Sequence, residues 1–427
     1  MGQCCSTAKA PDVEFTDLSE ADRKAVMYEG PLLVRLLHAN NIPIMDVTSE
    51  SDVFVKAEVV DPLDGLIGKA EWPVKWDATD PIWDSARLFG AVPPKRNSMV
   101  RLHFYDHDTN DADDYIGTAE AHVAALAAEG SSTTLQIKLL KDIRQSVTGA
   151  PTVTLRREPA ARYAGQRKVV YLVRHGESVW NKAQADKRVD VMLADVDHPL
   201  NATGRAQSES LLDALKQGGP QAEEMLQAEV VICSPLTRAL QTCLIGLEPL
   251  LLPEGGAARV VDLNPNLREK RNAGGRDSSG KWTGEQLTEG VHAEIDKLLD
   301  DAPERAAALK RVPLTLGHVQ NKWWLGSAES VEHVKERIAE ALHQVRFSDA
   351  RAQVLVGHSH YFREVFRHFA TSECTLKDAA GGVLPNEEMT GKKLSNAGVV
   401  RCVLDYDTSP DQPVVEVQLC FGSQFVS

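Results

Sequence analysis

Three short, uninterrupted apolar runs constrain this 427-residue chain more than any other feature. They are Val-Val-Tyr-Leu-Val at 169–173, Val-Val-Ile-Cys at 230–233 and Val-Leu-Val at 354–356. A strand that is apolar at every position must be covered on both faces, which is the condition of a parallel sheet flanked by helices. Helical patterns lie between and beside the runs, at 204–217 with Thr203 as its N-cap, at 237–247 and at 331–345. Strands alternating with helices predict an α/β three-layer domain with a mostly parallel sheet over 168–427. Ligands in such sheets bind beyond the carboxyl ends of the strands. The residues there are Arg174-His175-Gly176-Glu177, Ser234-Pro235-Leu236-Thr237-Arg238 and Gly357-His358-Ser359-His360.

Ahead of residue 168 the pattern differs. Leu32, Val34 and Leu36 alternate, and 53–55, 100–104 and 153–155 are further short strand candidates separated by turn-rich segments such as Asp61-Pro62-Leu63-Asp64-Gly65. Residues 29–155 therefore read as a β-sandwich, 1–28 as a flexible tail and 156–167, rich in arginine and alanine, as a linker.

Each apolar run in the second domain delivers a cation or an imidazole to one sheet edge. Phosphoryl transfer needs a nucleophile, positive charge around the equatorial oxygens and an acid for the leaving group. Arginine suits that pocket because its planar fork matches phosphate oxygens. The block 172–181, Leu-Val-Arg-His-Gly-Glu-Ser-Val-Trp-Asn, resembles the opening motif of the histidine phosphatase superfamily, which includes phosphoglycerate mutases and fructose-2,6-bisphosphatase. Three later blocks follow in the family's order: Leu200-Asn201-Ala202-Thr203-Gly204-Arg205-Ala206-Gln207, then 234–238 with Ala239, Gln241 and Thr242, then Val356-Gly357-His358-Ser359.

The resemblance implies that His175 is the nucleophile that becomes phosphorylated. Arg174, Arg238 and His358 would line the phosphate pocket, and Asn181, Ser178 and Arg271 would contact substrate. Glu269, in Leu267-Arg268-Glu269, is the candidate general acid, with Glu285 as an alternative. His360 reads as a surface residue, Cys233 as a buried structural thiol, and Trp323-Trp324 as either packing or a substrate wall. Phosphoglycerate mutases carry an Arg-His-Tyr-Gly block that helps hold a carboxylate; here the stretch is Leu267-Arg268-Glu269-Lys270-Arg271-Asn272, which argues for a phosphomonoester hydrolase over a mutase. Lys270, Arg271 and Arg276 add positive charge near the acid and suggest a substrate with more than one anionic group. A phosphorylated small molecule or a phosphoprotein would serve, and the chemistry implies no cofactor.

In the first domain the informative residues are aspartates: Asp46 and Asp52 in one segment, Asp106, Asp108 and Asp114 in another. Ca²⁺ takes roughly six to eight oxygens at about 2.3–2.6 Å, which clustered carboxylates from adjacent loops supply. Their intervals resemble the ligand loops of the C2 family, the calcium-dependent phospholipid-binding sandwich, and Ala78-Thr79-Asp80-Pro81-Ile82-Trp83 resembles its Thr-x-Asn-Pro-x-Trp signature. Val53-Phe54-Val55 replaces the usual Pro-Tyr-Val, and Asp111 and Asp113 make the second loop's tip acidic. The resemblance implies Ca²⁺ at those five aspartates and an anionic membrane as partner.

Met1-Gly2-Gln3-Cys4-Cys5-Ser6 matches an N-myristoylation pattern at Gly2, with Cys4 and Cys5 available for S-palmitoylation. No secretory signal and no apolar run near 18 residues is expected, and seven dispersed cysteines fit reduced thiols. Lys and Arg total 47 against 61 Asp and Glu, a formal charge of −14, which disfavours nucleic-acid binding. The sequence thus predicts an acylated phosphatase on the cytoplasmic face of a membrane, against two rivals: a mutase and an inactive scaffold.

Overall fold

A computed structural model of the chain describes residues 30–427 apart from 46–49, 93–97, 109–111, 128–129, 142, 144–147 and 273–274. Gly2, Cys4, Cys5 and Asp46 lie outside the described residues. The chain divides between Arg162 and Tyr163 into two compact units.

The first unit is the expected β-sandwich. Its strands are β1 (Gly30–Asn40), β2 (Val53–Asp61), β3 (Gly65–Lys75), β4 (Ile82–Val92), β5 (Met99–Asp106), β6 (Asp114–His122), β7 (Thr133–Gln136), β8 (Lys138–Leu139) and β9 (Thr152–Pro159). They form two antiparallel sheets, ordered β4-β1-β9-β7 and β3-β2-β5-β6-β8. Leu32, Val34 and Leu36 point between the sheets with Val53, Val55, Phe104, Trp72 and Trp83, all fully buried. Trp83 also donates its indole N–H to the Pro73 carbonyl at 2.9 Å, which satisfies its polar end inside the core.

The segment read as a linker is partly sheet, since Arg156–Pro159 complete β9. Its charges suggested a solvated connector, but Arg35 of β1 donates to Glu158 from Nε at 2.5 Å and from Nη2 at 3.1 Å. A bidentate pair with few exposed atoms lets a charged strand pack against its neighbour.

The second unit holds β10 (Arg167–Arg174), β11 (Val230–Cys233), β12 (Val261–Leu263), β13 (Leu314–Thr315), β14 (Ala352–Gly357), β15 (Ala370–Lys377), β16 (Val383–Leu384), β17 (Lys393–Leu394), β18 (Val399–Asp405), β19 (Val414–Cys420) and β20 (Phe425–Val426). Among the described residues these give a nine-stranded sheet, β13-β12-β11-β14-β10-β18-β19-β15-β16, and a β17-β20 ribbon. The first five strands run parallel; β18 joins β10 antiparallel.

The helices are α1 (Val179–Ala185), α2 (Val189–Ala194), α3 (Ala202–Gln217), α4 (Pro220–Leu226), α5 (Thr237–Gly246), α6 (Glu248–Leu251), α7 (Gly284–Leu298), α8 (Pro303–Leu309), α9 (Val331–Arg346), α10 (Ser359–Phe369) and α11 (Glu387–Gly391). Alternate residues of β10 feed the two faces. Tyr171 and Val173 pack with α3, α5 and α7, while Val170 and Leu172 pack with α9 and α10. That double burial is why the run carries no polar residue. The α3 helix begins two residues earlier than its sequence suggested: Asn201, not Thr203, is the N-cap, accepting from the Gly204 N–H at 2.9 Å.

Candidate active site

Parallel register places the ends of β10, β11 and β14 side by side, with Arg174 opposite Gly357 and Cys233 opposite Val356. His175 follows β10, Ser234 follows β11 and His358 follows β14, so the three exits meet at one edge. The structure brings Arg174, His175, Arg238 and His358 together there.

His175 is 2% exposed. Its backbone N–H donates to the Gly357 carbonyl at 3.0 Å, and its carbonyl accepts from Ala397 N–H at 3.2 Å. The ring Nδ1 lies 2.6 Å from the Gly176 carbonyl. A carbonyl only accepts, so Nδ1 carries the proton and Nε2 keeps its lone pair. Arg238 donates from Nε to that Nε2 at 3.3 Å. Burial, then the charges of Arg238 and Arg174, push the imidazole well below its ordinary pKa, so it is neutral at physiological pH.

Arg238, on the first turn of α5, is anchored by Asp277: Nη1 donates to its carbonyl at 2.6 Å and Nη2 stands 3.5 Å from its carboxylate. Arg174 donates from Nη1 to the Leu394 carbonyl at 2.5 Å, and burial lowers its pKa to about 10, leaving it charged. Among the described residues its buried Nε has no partner, nor has Nδ1 of His358, whose Nε2 lies 2.8 Å from Ser234 Oγ. Two orphaned polar atoms beside a neutral imidazole and two guanidiniums make a socket that a phosphoryl group would complete.

The motif blocks also brace one another. A Cβ on Gly176 would stand 2.5 Å from the Gly204 carbonyl, and one on Gly204 would run into the Glu177 backbone. Both positions need glycine because α3 approaches the loop after His175 at backbone contact. Thr242 accepts from the Gly176 N–H at 2.9 Å, Gln241 from the Leu200 N–H at 2.7 Å, and Asn201 donates to Glu177 at 2.7 Å.

Glu269 is buried, and its Oε1 accepts from the Lys270 and Tyr361 N–H groups at 2.8 and 3.1 Å. It lies within electrostatic reach of Arg174. Glu285 is exposed on the first turn of α7. Ser178 is fully buried and serves as the N-cap of α1 in a reciprocal box with Asn181, at 3.2 Å each way. The structure therefore gives Ser178 a structural place in the site's scaffold, and Asn181, half-buried, shares it. Arg271 donates to Ser279 Oγ and to the Gly326 carbonyl.

His360 is not the plain surface residue its position suggested. It is half-buried and accepts at Nδ1 from Arg363 at 2.8 Å. Trp323 belongs to the core, 7% exposed with its indole N–H on the Trp282 carbonyl at 3.0 Å. Cys233 is fully buried, and burial pushes its thiol well above the ordinary range.

Asp197 and Asp277 went unread in the sequence. Asp197 accepts from both the N–H and the hydroxyl of Thr237, at 2.9 and 2.8 Å, and so fixes the start of α5 next to Arg238. Neither aspartate belongs to a motif block, and only long-range contacts assign them.

In the first unit, Asp106 pairs across the sheet with both Val53 and Asp114, which places Asp52, Asp106 and Asp114 at one end of the sandwich. Asp106 Oδ1 accepts from the Asp52 N–H at 2.5 Å and Asp52 Oδ1 from the Asp77 N–H at 2.8 Å. Among the described residues no three carboxylate, imidazole or thiol side chains stand together as a metal-binding group. The carboxylates of Asp52, Asp106 and Asp114 are oxygen donors of the kind Ca²⁺ takes, with Asp46 outside the described residues and Asp108 half-buried in the second loop.

Comparison with known proteins agrees with both units. Residues 170–379 match the family model of the histidine phosphatase superfamily (branch 1), and residues 30–139 match that of the C2 domain. The chain carries a histidine phosphatase superfamily domain preceded by a C2 domain, and with it a phosphatase- or mutase-like catalytic unit. No curated protein matches the chain. Among solved structures, a phosphoglycerate mutase from Bacillus anthracis str. Sterne is 18% identical over 59% of this chain and 92% of that one, with a TM-score of 0.33. A C2 domain of plant Extended Synaptotagmin 1 is 19% identical over 30% of this chain and 95% of that one, with a TM-score of 0.26. Among the described residues no helix is long and apolar enough to cross a membrane.

Proposed function

We propose that this protein is a phosphomonoester phosphatase that works through a phosphohistidine at His175. The observation that carries the reading is the neutral His175 ring, with its Nδ1 proton held by Gly176 and its Nε2 lone pair beside Arg238. Nε2 attacks phosphorus while the bond to the leaving oxygen breaks, and Glu269 gives that oxygen a proton. Arg174, Arg238 and His358 hold the equatorial oxygens as charge spreads onto them. Water then attacks the phosphoryl group, Glu269 takes its proton, the N–P bond breaks and phosphate leaves. Asn181 and Arg271 border the substrate. The absence of an Arg-His-Tyr-Gly block favours water over a second hydroxyl as acceptor, which sets hydrolase above mutase.

The C2 domain would bring this activity to anionic membranes, with Ca²⁺ bridging Asp46, Asp52, Asp106, Asp108 and Asp114 to lipid phosphate. Acylation at Gly2 together with Cys4 and Cys5 would supply a second, stable tether on the cytoplasmic face.

Phosphate release from an aryl phosphate by the wild type and His175→Ala, in calcium-free buffer, tests the catalytic part. Activity in the wild type alone, with an acid-labile phosphoenzyme trapped only there, is the expected result. Equal release by both proteins would refute the phosphohistidine, and release by neither, across sugar and inositol phosphates, would turn the reading to a phospholigand-binding scaffold.

A further inference from the structure

A helix on the surface of an α/β domain ordinarily turns its apolar stripe inward. The α2 helix does not: it reads Val-Asp-Val-Met-Leu-Ala, yet none of its residues is buried. Val189 and Leu193 stand one turn apart on one face, 58% and 54% exposed, while Val191 and Met192 are half-buried. Polar contacts pin this helix at the mouth of the site. The Val191 carbonyl accepts from His198 Nε2 at 3.2 Å. Asp195, just past the helix, accepts from Arg276 Nε on its carbonyl at 3.2 Å and from Lys281 Nζ on its carboxylate at 2.7 Å. Arg276 adjoins Asp277, which anchors Arg238, and α2 packs on α1, the helix of Asn181.

A lone exposed leucine is ordinary, but an apolar pair one turn apart beside a reaction centre is a contact surface. Its surroundings say what it meets. Lys281 Nζ lies 5.2 Å from the centre of the Trp282 ring, and a Cβ on Gly280 would strike the Trp324 ring at 2.4 Å. Both tryptophans are half-buried. Aliphatic side chains, half-buried indoles and a lysine with its stem along one of them suit a boundary between apolar and aqueous phases. Charge agrees. With buried Asp197, Arg268 and Glu269 set aside, residues 182–198, 268–272 and 275–281 carry seven Lys or Arg against four Asp, a local +3 on a chain of −14. The same chain carries a C2 domain, which implies lipid or membrane binding, so an anionic bilayer is the apolar phase at hand.

We propose that α2 and the Lys281-Trp282 turn form an interfacial rim that seats the pocket on a bilayer, and that the substrate is the phosphomonoester headgroup of a membrane lipid. This rests on the reading of the chain as a phosphohistidine hydrolase. The lipid's O–P bond breaks as His175 Nε2 bonds to phosphorus, and Glu269 protonates the lipid oxygen. Water then cleaves the N–P bond, leaving a lipid alcohol and phosphate. Two aliphatic side chains do not hold a protein on a membrane, so the rim works once the chain has docked by other means.

Unacylated full-length protein is assayed, with calcium, on phosphatidylserine–phosphatidylcholine vesicles containing dioleoyl phosphatidic acid or phosphatidylinositol 4-phosphate. The soluble headgroups, glycerol 3-phosphate and glycerophosphoinositol 4-phosphate, are assayed beside them. One vesicle-borne lipid should exceed its headgroup by about tenfold or more in kcat/KM. Val189→Ser and Leu193→Ser, both at exposed positions, should each lower the vesicle rate about fivefold, with the headgroup rate and the sedimented fraction of protein unchanged. Variants equal to the wild type on vesicles, or headgroups favoured over lipids, would overturn the proposal. Leu193→Trp on vesicles of brominated phosphatidylcholine and phosphatidylserine separates this from the hydrolase reading. Quenching of the added indole with no phosphate released from any compound would uphold the rim as a membrane contact and refute the hydrolase. An unquenched indole alongside turnover of soluble phosphates would refute the rim and leave the hydrolase standing.

Discussion

In the proposed mechanism, His175 is prepared for attack by what it cannot do. With Nδ1 donating to Gly176 and two guanidiniums close by, it does not take a second proton in the ordinary imidazole range. Its ring resonances, and those of His358, which burial and Arg238 also push well below the usual value, should not shift between pH 5 and 8 in NMR spectra of the full chain. Movement of either near pH 6.5 would contradict the neutral site. Glu269 has a separable signature. In Glu269→Gln, 4-nitrophenyl phosphate, whose leaving group needs no proton, should give a burst of nitrophenol followed by turnover about 100-fold slower than wild type, as phosphoenzyme accumulates. Slow nitrophenol release without a burst would mean that Glu269 assists the first step alone. Asp197 affects stability instead. Burial raises its carboxyl to about 6 against the pull of Arg238 and Thr237, so the folded state holds a proton that the unfolded state releases near 4. Its contribution to stability therefore falls as pH rises from about 4 to about 6 and is level above that. Asp197→Asn should gain on the wild type across that window by up to a few kcal/mol in urea unfolding, and a constant difference would refute the raised carboxyl.

At the scale of elements, the loop that carries Glu269 is fastened by an ion network buried under α9. Glu329 accepts from Arg268 at 2.5 Å, from Arg337 at 2.9 and 3.0 Å, and from the Arg271 N–H at 3.0 Å. Arg337 in turn donates to the Asn266 and Arg268 carbonyls at 2.7 and 2.8 Å. Burial alone would raise the Glu329 carboxyl, but the charges of Arg268 and Arg337 outweigh it and hold it at about 2. Glu329→Gln leaves two buried guanidiniums without a counter-charge and should cost about 3–5 kcal/mol in urea unfolding; a cost below about 1 kcal/mol would mean that the network is solvated. None of this was legible in the sequence, where Glu329 is one acid before a helix and Arg268 one base in a charged run. The strand exits were legible, because apolar runs announce buried strands and topology dictates where their ends meet. Ser178 and Asn181 carried a further signal that went unread: their spacing is that of a helix cap, and the resemblance drew attention to substrate alone. Arg156–Pro159 were misread because a paired Arg35–Glu158 cannot be told from two solvated charges until the strands are side by side.

At the scale of the whole molecule, a chain of formal charge −14 is repelled by an anionic bilayer unless something inverts the sign locally. A single myristoyl chain gives only marginal binding, on the order of 10⁴ M⁻¹. Asp52, Asp106 and Asp114 at one end of the sandwich would add repulsion when bare, and would become an attachment point for lipid phosphate if Ca²⁺ is held there as proposed. Without its acyl chains the protein should therefore bind membranes in a steeply calcium-dependent way, whereas the proposed phosphoryl chemistry draws on residues of the second unit alone. In co-sedimentation of the unacylated chain with phosphatidylserine vesicles, EGTA is expected to release at least nine-tenths of the protein, and phosphate release from a soluble aryl phosphate in the same samples should continue. Asp106→Asn should release the protein in the presence of calcium as EGTA does in its absence. Retention of the unacylated chain in EGTA at unchanged affinity would take calcium out of the attachment, and loss of turnover on chelation would place calcium in the chemistry.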